Sequence, residues 1–129
     1  MSQQMRTPLG RARGLGSARD GTEHFWRQRV TSVALVPLVV FFLMVVVALT
    51  GADHARVAAT LSSFWIAIPM MLVVLVAAAH MRLGMQVIVE DYVHAPIPKY
   101  LLLMANTAFC ALIGLVGVSA LLMLMLGGR

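Results

Sequence analysis

From about residue 30 onward the sequence alternates between long apolar runs and short polar joints. The runs cover residues 30–49, 64–89 and 100–126, each near or above the ~20 residues a helix needs to cross the hydrocarbon core. Stretches such as LVPLVVFFLMVVVAL and LLMLML lack the alternation of lipid-facing and inward residues that a membrane β-barrel requires, so the spans are helical. The pattern predicts an all-α membrane protein with three transmembrane helices, at roughly 28–50, 58–90 and 98–126.

The joints refine this picture. Residues 1–22, rich in Gly, Arg, Ser and Gln, bury too little surface to offset ordering entropy and are expected to form a flexible basic tail before a membrane domain at 23–129. Within residues 22–32, Phe25 and Trp26 beside Arg27 and Arg29 suit the headgroup level. Pro37 and Pro69 each remove a backbone hydrogen bond inside a span, whereas Pro96 and Pro98 are expected to halt the second helix and turn the chain into the third. Ala105, Ala108, Ala111, Gly114 and Gly117 repeat at three-residue spacing and would let a neighbouring helix approach closely.

Composition agrees with the pattern. An apolar content of 60% in 129 residues exceeds the usual 45–50% or so of a soluble domain. The net charge of +5 owes most to Arg6, Arg11, Arg13, Arg19, Arg27 and Arg29, against only Asp20 and Glu23 in the same stretch. In a chain with three spans the positive-inside rule accounts for these arginines without nucleic acid as a partner. It predicts a cytoplasmic N-terminus, the joint containing Arg56 outside, the joint containing Lys99 inside, and the C-terminus outside. The first apolar run is too long and too late for an ordinary cleavable signal peptide, although an arginine-rich transit segment would fit the first ~20 residues. A single cysteine, Cys110, leaves no internal disulfide and reads as packing.

Candidate chemistry is concentrated at residues 80–94, HMRLGMQVIVEDYVH. His80 lies ten residues before Glu90, hence about 15 Å inside the helix end and near the bilayer middle, where it should be neutral. Its two nitrogens need partners. A hydrogen-bonded or proton-relay histidine and a haem ligand both satisfy that need. Asp91 falls eleven residues later, on nearly the same helical face, together with Gly84 and Val87. A glycine one turn from His80 makes room for a flat macrocycle or for a packed helix. Tyr92 and Asp91 at the membrane boundary suit interfacial anchoring, and equally the donation of a hydrogen bond and a proton to a quinone carbonyl. Arg29 and Arg27 should lie at their level, either as topogenic charges or as partners of a propionate or carboxylate. Arg82 is placed to snorkel away from the His80 face. His24, His54 and His94 show no metal spacing, and Met70, Met71, Met81 and Met85 read as packing.

The order His80, Gly84, Met85, Gln86, then Asp91, Tyr92 and Val93, within three spans led by FWRQRVTSVAL, resembles the small hydrophobic membrane-anchor subunit of succinate dehydrogenase, respiratory complex II. The resemblance covers roughly residues 23–126 in architecture and is sharpest over 24–32 and 80–93. It implies that His80 is an axial ligand of haem b, with the other histidine supplied by a partner cytochrome b chain of three helices against which this chain packs. It further implies that Tyr92 and Asp91 line a ubiquinone pocket near the cytoplasmic surface, and that Arg29 lies near a haem propionate or that pocket. Electrons would arrive from an iron–sulfur subunit attached to a flavoprotein subunit. Enteric-type relatives carry a tryptophan after the glycine where this chain reads GMQVIVEDY, so it is similar rather to the alphaproteobacterial and mitochondrial-like branch. Some members have changed or lost haem while keeping the fold.

The expected function is therefore membrane anchoring and electron transfer to quinone in the bacterial inner membrane, with the chain non-catalytic alone. A fumarate reductase anchor, a non-redox scaffold or assembly protein, and a small transporter are the competing classes. A single intramembrane histidine without paired acids makes a thin transport relay.

Overall fold

The computed structural model describes residues 8–9 and 20–127. Most of the expected basic tail, residues 1–7 and 10–19, lies outside the described residues. From residue 20 onward the chain forms four helices: α1 (Asp20–Ala48), α2 (His54–Ser62), α3 (Phe64–Tyr92) and α4 (Pro96–Gly127). Three of them, α1, α3 and α4, are long and apolar enough to cross a membrane.

The boundaries depart from the apolar pattern in two places. Helix α1 begins at Asp20 rather than near 28, so the polar lead-in with Phe25, Trp26 and the arginines is continuous with the first span. The Arg27–Glu23 ion pair, 2.5 Å apart at i,i+4, supports this first part on its exposed side. The expected second helix, 58–90, is divided instead. His54–Ser62 is a helix of its own, and an extended Ser63 separates it from α3. Asp53 caps α2 by accepting from the Arg56 amide at 2.9 Å, after a turn in which Gly51 takes a positive φ of 78°. Pro37 and Pro69 are accommodated within α1 and α3. Pro96 does not merely stop α3, which already ends at Tyr92; it is the first residue of α4, where a missing amide hydrogen costs nothing.

Helix α3 is the spine. It packs against both α1 and α4, whereas no Cα of α1 comes within 8 Å of a Cα of α4. The α3–α4 seam is close because Gly114 is buried against Ala78 and Leu75, and Gly117 faces Val74. Ala105, Ala108 and Ala111, the other half of the small-residue stripe, remain exposed. Toward the end that carries α2, Met70, Val73 and Leu121 form the core, flanked by Leu38, Phe41, Val45 and Leu61. Most large side chains on the spans stay uncovered, as suits residues that meet lipid or other chains.

Candidate functional site around His80

His80 sits midway along α3, half-buried on the side facing α1. Its Nδ1 lies 3.0 Å from the Thr31 hydroxyl, which joins two spans across 49 residues of sequence. Thr31 Oγ1 also lies 3.0 Å from two backbone carbonyl oxygens of its own helix, those of Arg27 and Gln28. Among the described residues His80 Nε2 has no hydrogen-bond partner. One nitrogen is therefore tied to α1, and the other is open.

One turn along α3, Gly84 faces Gln28: a methyl placed on Gly84 would lie 3.8 Å from Gln28 Nε2. Within this chain, the space beside the glycine thus admits an α1 side chain. Gln28 Oε1 and His24 Nε2 are buried without a partner among the described residues. His24, Gln28 and Thr31 follow the i, i+4, i+7 spacing of one helix face, so α1 presents a polar stripe toward α3 in an otherwise apolar seam. Next to this stripe, a cleft of about 420 Å³ opens between Glu23, His24 and Arg27 of α1 and Arg82, Leu83, Gln86 and Glu90 of α3.

The remaining residues of interest are spread out. Asp91 and Tyr92 close α3 and are exposed, Tyr92 at 79%. Arg29 is exposed, with its guanidinium stacked 4.9 Å over the Phe25 ring. The structure brings His80 together with Thr31, and neither Arg29 nor Tyr92 shares a hydrogen bond with it among the described residues. The Arg82 side chain lines the cleft, while its carbonyl accepts from Asn106 of α4 at 2.9 Å, and Cys110 donates to Asn106 Oδ1 at 3.4 Å. Lys99 reaches back to the Glu90 carbonyl at 3.0 Å and ties the α3–α4 joint. No group of three His, Cys, Asp or Glu side chains gathers as a metal site among the described residues.

Thr31, Gln28 and Asn106 were not singled out as functional by the reading of the sequence. The first two had a legible signal in their spacing with His24, whereas Asn106 within an apolar span marks only an interhelical hydrogen bond with no partner named.

Three long apolar helices, with a half-buried histidine in the seam between two of them and charged groups gathered beside it, define a polytopic α-helical membrane protein. The family described as the succinate dehydrogenase/fumarate reductase transmembrane subunit matches residues 3–115, and the chain belongs to it. It is similar to the succinate dehydrogenase hydrophobic membrane anchor subunit of Paracoccus denitrificans, at 35% identity over 86 residues, 67% of each chain. The subunit of the same description from Rickettsia bellii (strain RML369-C) is 31% identical over 93 residues, 72% of this chain and 74% of the relative. No solved structure matches. With three spans and bacterial anchor relatives, the protein is a multi-pass membrane anchor subunit of the bacterial inner membrane.

Proposed function

We propose that this chain anchors a succinate:quinone oxidoreductase, shares haem b with a partner cytochrome b chain and forms one wall of a ubiquinone site. In this reading it docks the iron–sulfur and flavoprotein subunits on the cytoplasmic face, the side to which the positive-inside rule assigns the arginines ahead of the first span. The observation that carries the proposal is the state of His80: a ring at mid-helix, Nδ1 held by Thr31, and Nε2 without a partner among the described residues.

That donor set fits a haem iron. A neutral imidazole with its second nitrogen hydrogen-bonded is the usual form of a metal-bound histidine. His80 would hold the haem iron from this chain, and a histidine of the partner cytochrome b chain would complete the pair, as in the family that this chain resembles. Haem b, when bound, supplies a one-electron store beside the path from the iron–sulfur subunit to quinone.

At the end of the same helix, the Tyr92 hydroxyl donates to a quinone carbonyl oxygen and Asp91 accepts or passes a proton beside it. Arg29 stands two residues before Thr31 on α1, nearer the level of His80 than that of Tyr92, and offers a fork for a propionate or a carboxylate. Its stacking on Phe25 orients the guanidinium and leaves its donors available. Succinate oxidation is the direction favoured by the succinate dehydrogenase relatives; a fumarate reductase anchor would use the same residues in reverse.

The test is a reduced-minus-oxidised absorbance spectrum of the complex purified from its native membrane in mild detergent. A b-type signal is expected. An intact complex without haem would keep the anchor and quinone reading but reduce His80 to a residue that holds α1 against α3 or handles protons.

A further inference from the structure

The contact between Thr31 and His80 has a direction that proton counting supplies. Thr31 Oγ1 has one hydrogen and three neighbours at 3.0 Å: His80 Nδ1, the Arg27 carbonyl and the Gln28 carbonyl. A carbonyl oxygen has no hydrogen to give. If the hydroxyl donated to His80, both carbonyl contacts would set lone pairs against lone pairs. If it donates to a carbonyl, as Thr does within a helix, Oγ1 is free to accept from Nδ1–H. The second arrangement satisfies more of the group. Ser32 also donates to the Gln28 carbonyl at 2.8 Å, which leaves the Arg27 carbonyl as the freer acceptor for Thr31.

We infer that Thr31 is a positioning residue: its hydroxyl accepts from His80 Nδ1–H, fixes the tautomer with a bare Nε2, and aims that lone pair at the haem iron. The inference rests on the proposed role of His80 as a haem ligand. Its physical consequence follows from the hydrogen bond. A proton drawn toward Oγ1 makes the imidazole a stronger electron donor at Nε2, which favours ferric over ferrous iron and lowers the midpoint potential. Thr31 is thus a residue of α1 that acts on redox chemistry through a residue of α3.

The experiment compares Thr31→Val, Thr31→Ser and His80→Ala in the whole complex, by redox titration of the b-type absorbance and the low-spin ferric resonance. Valine keeps the branched shape and removes the hydroxyl; serine keeps the hydroxyl and loses a methyl. We expect Thr31→Val to raise the midpoint potential or release the haem, and Thr31→Ser to keep the native potential. A native potential in Thr31→Val, or the same disturbance in Thr31→Ser as in Thr31→Val, would overturn the inference while leaving His80 as ligand. An unchanged spectrum in His80→Ala would instead remove the haem reading on which it rests.

Discussion

A Cβ on Gly117 of α4 would lie 2.7 Å from Val74 Cγ1 of α3, closer than real carbon atoms pack. The α3–α4 seam thus depends on the absence of one methyl group. Gly117→Ala should loosen it by about 1–3 kcal/mol, the usual cost of overpacking a fitted interface. Thermal loss of the assembled complex in detergent checks this, and Val74→Ala should restore much of the stability. Gly114→Ala is the control: its methyl would lie 3.8 Å from the Ala78 Cβ, so it should be tolerated. Equal damage from both glycine variants would show that the close approach is not what matters.

His80→Ala should abolish or displace the b-type spectrum while the subunits still copurify, because only one half-buried ring is lost from a seam held by many apolar contacts. An unaltered spectrum would take His80 off the ligand set.

Tyr92→Phe keeps the ring and removes the hydroxyl. Tyr92 is 79% exposed and terminates α3, so assembly and haem content should be unchanged. Quinone reduction should fall by on the order of tenfold, what a lost hydrogen bond of about 1.4 kcal/mol implies. Normal turnover at every quinone concentration would argue against Tyr92 as a donor.

Asn106→Leu removes the bond to the Arg82 carbonyl. Side-chain hydrogen bonds between membrane helices average roughly 0.6 kcal/mol, so only a small fall in thermal stability is expected, without change in the haem spectrum. A large loss of haem would place Asn106 in a network with His80.

The three spans were readable because lipid tolerates few alternatives to an apolar helix, and runs as long as 30–49 leave no second interpretation. Less was visible where a boundary depends on a single residue. HARVAATLS merges smoothly into the next apolar run, and only the extended backbone of Ser63 divides α2 from α3. The helical lead-in from Asp20 was masked by polar residues whose inward members, His24, Gln28 and Thr31, face α3 rather than water. His80 announced itself as an imidazole in an apolar run. Its partner did not, because a threonine at the polar edge of an apolar run is unremarkable until the fold places α3 beside it.

Between His80 and Tyr92 α3 runs without a proline or a break. At 1.5 Å and 100° per residue the twelve steps carry the phenol roughly 18 Å along the axis and return it to within about 120° of the imidazole's heading. The helix is thus a rigid gauge in which depth and rotation are locked together. Removing or adding one residue between them would move Tyr92 by only about 1.5 Å yet swing it by about 100° relative to His80. The spacing can therefore be altered only in near-whole turns if both side chains are to keep their bearings.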